Sequence, residues 1–176
     1  MHGKSLAAVL APWLLLLPAF AQAPQMPQPA PELKKLDYFV GTWKTDTTMK
    51  PSQFGPGGKL TGTDRIEWMQ GNFFLLIHTS FTSTMGNGVE LGVMGYDSAN
   101  KVFTYTSFNS AGEHETATGS FDGSTWTWNS EQTSARGAKW RYTQKILSPT
   151  SYSIKFEMSP NGNDWATVME GTATKQ

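Results

Sequence analysis

From residue 40 onward the chain alternates between short segments with a period of two and clusters of turn-forming residues. A period of two is the pattern of half-buried β-strands, whose successive side chains point to opposite faces of a sheet. The turn signals recur roughly every ten residues and leave no room for a long helix. Strands joined by such short turns pair antiparallel. The pattern therefore predicts an all-β fold, either an up-and-down barrel or a sandwich.

We predict about ten strands in this part of the chain. After a first strand that begins at Gly41, they cover residues 60–69, 73–84, 89–96, 102–108, 113–121, 125–131, 137–147, 151–158 and 165–175.

The stretch Leu36–Met49 shows how the first strand is entered. Leu33, Leu36 and Phe39 have the spacing of a short helix, which we place around residues 32–39. Gly41-Thr42-Trp43 then opens a strand in which Trp43, Thr45, Thr47 and Met49 share one face. The order of elements is therefore a short helix followed by Gly-x-Trp and an alternating strand.

Residues 1–21 have the features of a secretory signal peptide. Lys4 precedes an apolar run from Leu6 to Leu17, and Ala19-Phe20-Ala21 forms an A-x-A cleavage site. The apolar run is shorter than the roughly 20 residues of a transmembrane helix, so we expect no membrane span after cleavage. Residues 22–31 are rich in Pro and Gln and predict an extended tether. We therefore expect a single domain over residues 32–176 and a periplasmic or secreted location, as in bacteria.

The composition excludes two classes of site. The chain has no cysteine, so it contains neither disulfides nor thiolate metal sites. Its 14 basic and 14 acidic residues balance, and no basic run occurs, so nucleic-acid binding lacks its electrostatic footprint. The histidines and acids show no spacing of a zinc site, and we predict no metal. The oligomeric state and the protein partners are not encoded in any pattern that we recognise.

Several motifs resemble, in their order, an exported bacterial family of lipocalin-like (calycin) barrels known only as a domain of unknown function. They are Gly41-Thr42-Trp43, Leu91–Asp97, Lys101–Phe103, Arg141, Phe156-Glu157-Met158 and Val168-Met169-Glu170. The resemblance implies an antiparallel up-and-down calycin-like barrel of about 8–10 strands with a short N-terminal helix. Wider relatives include fatty-acid-binding-like and haem-binding nitrobindin-like barrels. The haem-binding group uses a C-terminal His, whereas no His follows His114 here, so we predict no haem and no other cofactor.

The resemblance also implies which residues are structural. Gly41 belongs to the Gly-x-Trp motif, and Trp43 plugs the closed end of such barrels beneath an Arg or Lys from a late strand. Arg141 is our candidate for that cover, by cation–π stacking. The alternative is that Arg141 points into the cavity toward an anionic ligand group. Glu170 is the candidate partner for a buried Arg141, because neither charge can be buried unpaired.

A candidate pocket follows from the residues that are expected to face inward on each strand. The resemblance places the Phe74, Leu76 and His78 face of the third strand inward, although the opposite face is apolar too. His78 would then be the one imidazole in the lumen and would orient a ligand. The full candidate pocket consists of Trp68, Phe74, Leu76, His78, Met94, Tyr96, Phe156 and Met158.

Three functions from different classes are compatible with this pattern. The first is an exported carrier of a small hydrophobic or amphipathic ligand. The second is a filled barrel that acts as a structural or interaction module of the envelope, which a cavity below about 300 Å³ would favour. The third is an enzyme on a small apolar substrate with His78 as acid or base, although the sequence contains no catalytic motif.

Overall fold

A computed structural model describes residues 27–134 and 137–176. The predicted signal peptide and residues 22–26 of the predicted tether lie outside these ranges. A 3₁₀ helix, Pro31–Phe39, precedes ten strands. They are β1 Gly41–Met49, β2 Gly58–Trp68, β3 Leu75–Ser83, β4 Gly86–Asp97, β5 Val102–Asn109, β6 His114–Asp122, β7 Thr125–Ser130, β8 Lys139–Ser148, β9 Ser151–Ser159 and β10 Ala166–Lys175.

The strands form one closed antiparallel barrel. Each strand pairs with its neighbours in sequence, and β1 closes the barrel by pairing with β10. Closure leaves no free sheet edge. The predicted calycin-like up-and-down barrel with a short N-terminal helix is therefore confirmed. Within the described residues, no helix has the length and apolar character needed to cross a membrane.

The 3₁₀ helix covers one end of the barrel. Pro31 suits the first turn, where its missing N–H leaves no backbone partner unsatisfied. A 3₁₀ helix has three residues per turn, so Leu33, Leu36 and Phe39 align on one face, and all three are buried. Side-chain hydrogen bonds fix the helix to the barrel: the Tyr38 hydroxyl donates to the Ser148 and Ser151 carbonyls.

Trp43 forms the plug at this closed end. The side chain is fully buried, and its Nε1–H donates to the Phe39 carbonyl at 2.7 Å. Gly41, two residues earlier, has φ +125°, a conformation that residues with a Cβ rarely adopt. The first strand therefore begins at a glycine with positive φ and buries its Trp at the closed end.

The cover of Trp43 is Lys175, so the role predicted for Arg141 was wrong. The Lys175 ammonium lies 5.2 Å from the centroid of the Trp43 ring. Arg141 lies on the outer surface, where its guanidinium stacks on Trp165 at 4.5 Å and its Nε–H donates to Glu157 at 2.8 Å. Because Arg141 faces outward, it neither covers Trp43 nor points into the cavity.

The predicted pairing of Glu170 with Arg141 was also wrong. Glu170 forms an ion pair with Lys50, and about half of each side chain is exposed. The carboxylate beside Arg141 is Glu157, which also accepts from Lys155. The hydrogen bond from Arg141 lowers the pKa of Glu157.

The inward face predicted for β3 was the wrong one. Leu75, Ile77, Thr79, Phe81 and Ser83 point into the barrel, and Phe74, Leu76 and His78 point outward. His78 is exposed, and its Nε2 lies 3.9 Å from a carboxylate oxygen of Glu67 on the outer face of β2. Both faces of this segment are apolar, so alternation alone could not identify the inner one.

Candidate functional site

The barrel encloses a cavity of about 460 Å³. Phe39 of the helix contributes to its lining at the closed end. Its mouth lies at the other end, where the β1–β2 loop contributes Lys50, Ser52, Phe54, Gly55 and Pro56 and the β3–β4 turn contributes Met85. The size lies within the range of about 300–1,000 Å³ that is typical of small-molecule pockets.

One side of the cavity is apolar. The inward faces of β9 and β10 contribute large aliphatic and aromatic side chains. They are Tyr152, Ile154, Phe156, Met158, Val168 and Met169. A shift in register between Thr167 and Met169 marks an irregularity in β10, and the two consecutive residues Val168 and Met169 both line the cavity there.

Other strands contribute acidic side chains to the cavity. Within the described residues, four carboxylate side chains line it: Asp64 on β2, Glu90 on β4, Glu113 just before β6, and Glu115 on β6. Each accepts a hydrogen bond from a neutral donor. The donors are the Thr79 hydroxyl to Asp64 at 2.7 Å, the Tyr105 hydroxyl to Glu90 at 2.6 Å, the Asn109 amide to Glu113 at 2.7 Å and the Trp140 indole to Glu115 at 2.9 Å.

Strand register explains why these groups meet. Asp64 pairs with Thr79 across β2 and β3, and Thr79 pairs with Glu90 across β3 and β4. The three side chains therefore form one row on the inner surface. Directly opposed residues in an antiparallel sheet point to the same face and have Cβ atoms about 5 Å apart.

Burial raises the pKa of the two carboxyl groups in this row, Asp64 and Glu90. Desolvation raises the pKa of Glu90, the hydrogen bond from Tyr105 opposes the rise, and the charges of Asp64, Glu115 and Glu113 add to it. Desolvation likewise raises the pKa of Asp64 against the hydrogen bond from Thr79. The pKa of Tyr105 lies well above its ordinary value, because its hydroxyl is buried beside the Glu90 carboxylate. The charged forms of Asp64 and Glu90 are thus less favourable in the barrel than in water.

We expect Glu90→Gln to raise Tm by about 2–4 °C at pH 7, which corresponds to about 1 kcal/mol in a chain of this size. The Gln Oε1 retains the acceptor for Tyr105, and the buried charge is removed. A raised carboxyl pKa destabilises the folded state as pH rises from the unfolded value through the folded one. The gain should therefore shrink as pH falls toward 4.5, the ordinary pKa of Glu. Thermal melts of both proteins across this pH range test the prediction, and a variant less stable than wild type at pH 7 would contradict it.

The residues of the predicted pocket fall into three groups. Met94, Phe156 and Met158 line the cavity. Trp68 and Tyr96 lie outside its lining: the Trp68 indole donates to Asp37 of the helix at 2.8 Å, and the Tyr96 ring packs 5.0 Å from the Phe103 ring. Phe74, Leu76 and His78 lie on the outer surface, so their predicted inward placement was wrong.

The four acids are the site residues that the sequence interpretation missed. A signal for two of them was present. Trp68 at the end of β2 was placed in the candidate pocket, and Asp64 stands four residues before it. Met94 was assigned to the inner face of β4, and Glu90 stands four residues before it, which is the same face.

A second, shallow groove of about 950 Å³ crosses β10 and β1–β4. Its lining is largely Thr and Ser, with Lys44 and Asp46 among the charged residues. It lacks the apolar walls of the barrel cavity, so the cavity is the better candidate for a binding site.

Together, the closed ten-stranded barrel, the helix across one end and the open cavity at the other define a calycin-like barrel. The chain belongs to the family described as Protein of unknown function (DUF1579), whose model matches residues 28–175.

Solved structures with the same fold are distant in sequence. The crystal structure of Rv2717c from M. tuberculosis matches with a TM-score of 0.62 at 14% identity, covering 85% of this chain and 99% of that one. The S-type phycobiliprotein lyase CPES from Guillardia theta matches with a TM-score of 0.55 at 11% identity, covering 81% and 91%. At these identities the likeness is one of fold. No curated protein matches the sequence.

Proposed function

We propose that this chain is an exported protein that binds a small hydrophobic or amphipathic molecule inside its barrel. The observation that carries the proposal is the cavity of about 460 Å³ with an apolar wall and a small number of polar groups. Such a combination is typical of pockets that bury most of a small ligand. The export signal read from residues 1–21 supports a periplasmic or secreted location.

The two alternative functions have less support. A filled barrel would leave a cavity below about 300 Å³, and the observed cavity is larger. An acid–base role for His78 required that side chain inside the cavity, whereas it lies on the outer surface.

Filling the cavity should weaken binding. In Ile154→Trp, a large ring replaces a cavity-lining side chain that is 3% exposed. Ser153→Trp is the matched control, since it adds the same ring one residue away on the outer face of the same strand. We expect the neutral fluorophore N-phenyl-1-naphthylamine to bind wild type and the Ser153 variant alike, and the Ile154 variant at least about tenfold more weakly, a difference of about 1.4 kcal/mol.

Circular dichroism and thermal melts establish that each variant is folded. Ile154→Phe is the milder replacement if the Trp variant does not fold, because overpacking of a core is itself destabilising. Equal binding by the folded Ile154 variants and wild type would show that the fluorophore does not occupy the cavity. Absence of binding to wild type would contradict the proposal outright.

A further inference from the structure

We infer that the molecule bound in the barrel carries a positively charged nitrogen, as in an amine, a quaternary ammonium or a guanidinium group, on an apolar body. The inference rests on the proposed function and specifies the chemical class of its ligand. It comes from the distribution of charge around the cavity.

The lining of the cavity is acidic and has almost no basic counterpart. Among the described residues, Asp64, Glu90, Glu113 and Glu115 line it, and Lys50 at the mouth is the only basic lining residue. Lys50 is already paired with Glu170. None of the four lining acids forms an ion pair with a described Lys, Arg or His.

Among the described residues, the side chains that donate hydrogen bonds to the four acids are all neutral. A cation would add the positive charge that these donors do not carry. A hydroxyl or an amide N–H stabilises a carboxylate less than a charged donor does. Charge–charge attraction is also much stronger in a partly desolvated cavity than in water. An anionic head group in the same place would instead meet four like charges without a buried basic partner.

A metal ion does not fit the same groups. In the described part of the chain, there is no group of three or more His, Cys, Asp or Glu side chains that could hold a metal ion. The acids are instead distributed over β2, β4 and the start of β6. That spread suits an organic cation with several N–H or N–CH₃ groups better than a compact ion.

A buried hydroxyl gives an independent indication of a ligand. Ser134, in the β7–β8 loop, lines the cavity, and its Oγ is buried without a hydrogen-bond partner among the described residues. Buried hydroxyls are normally satisfied. Ser134 and Glu115 line the same cavity, so the Ser134 hydroxyl is a further polar group available to a ligand there.

The barrel also provides a place for the apolar body. In a closed barrel of ten strands, β4 lies across the lumen from β9, and β5 from β10. Glu90 on β4 therefore faces the wall that contains Ile154, Phe156, Met158 and Val168. A cationic amphiphile can place its nitrogen beside Glu90 and its body against that apolar wall.

The test compares three molecules that differ only in their head group. Decylamine, decanol and decanoate are each titrated at pH 7, below their aggregation concentrations, against bound N-phenyl-1-naphthylamine. We expect wild type to bind decylamine at least about tenfold more tightly than decanoate, with decanol between them. The reason is that an ammonium group forms charge-assisted hydrogen bonds with the lining carboxylates, which are stronger than hydrogen bonds between neutral groups.

The double variant Asp64→Asn, Glu90→Gln should reduce this preference by about tenfold, while decanol binding stays within about twofold of wild type. Both substitutions retain the oxygen that accepts from Thr79 or Tyr105. The control is the double variant Glu67→Gln, Asp122→Asn, which removes two exposed carboxylates that lie outside the lining. Its preference should equal that of wild type.

The outcomes separate the two proposals. If decanol displaces the fluorophore but decanoate binds as tightly as decylamine, the cationic class is wrong and binding in the barrel stands. A preference for decylamine that the Asp64 and Glu90 substitutions leave unchanged also overturns the inference. If none of the three molecules displaces the fluorophore and the fluorophore itself does not bind, the proposed function and the inference fail together.

Discussion

Replacing Trp43 with alanine is expected to lower the free energy of unfolding by about 3–5 kcal/mol, the usual cost of truncating a large buried aromatic side chain. Trp43 is 0% exposed, and its ring lies 4.9 Å from the Tyr152 ring and 5.4 Å from the Tyr38 ring. The substitution also removes the hydrogen bond to the Phe39 carbonyl and the surface on which Lys175 rests. Three elements, the 3₁₀ helix, β1 and β10, thereby lose a common contact.

Urea or thermal unfolding measures this loss. Trp165→Ala is the matched control, because Trp165 is partly exposed and its described ring contact is the cation–π stack with Arg141 on the outer surface. That variant should lose no more than about 1 kcal/mol. A loss below about 1 kcal/mol for Trp43→Ala would show that Trp43 is not the plug of the closed end.

The second large effect is expected at Gly171, where β10 passes close to β1. A Cβ on Gly171 would collide with the Asp46 carbonyl oxygen and with the Cα of Thr47, both of which belong to the β1 backbone. A flexible side chain can move away from such a contact, but a backbone within a closed barrel cannot move without disturbing the ladder between β1 and β10. Gly171→Ala should therefore cost about 2–3 kcal/mol, at the upper part of the range for overpacking.

Thr172→Ala is the neighbouring control, since Thr172 is exposed on the outer face of β10. It should change stability by no more than about 0.5 kcal/mol. If Gly171→Ala were as stable as the control, the close approach of β10 to β1 would not exist in solution.

The architecture was predictable because many weak signals agree. Ten alternating segments with turns between them allow few arrangements, and every predicted strand is present with ends shifted by a few residues. Leu33, Leu36 and Phe39 revealed the helix because burial selects one face of it. These signals depend on local chain geometry, which the sequence carries directly.

The lining of the barrel was harder to predict because it depends on which face of each strand points inward. On β3 both faces are apolar, so the choice between Ile77 and His78 as the inner residue could not be made from alternation. The roles of Arg141 and Lys175 depend on which face of a strand meets Trp43, a contact between residues more than 90 positions apart. No local pattern encodes such a contact.

The acids were overlooked for a different reason. Charged residues are seldom buried without a partner, and the predicted pocket included no carboxylate. The structure places Asp64 and Glu90 inside, beside neutral donors and a cavity. Positions at which such a general tendency fails are often functional, and here they lie in the candidate site.

The most direct test of binding inside the barrel is native mass spectrometry of the protein purified from its own host, compared with the Ile154→Trp and Ser153→Trp variants prepared in the same way. We predict that wild type and the Ser153 variant carry one additional small mass, which denaturation releases, and that the folded Ile154 variant lacks it. A wild-type protein that carries no such molecule, or a molecule retained equally by the Ile154 variant, would contradict a ligand bound in the barrel.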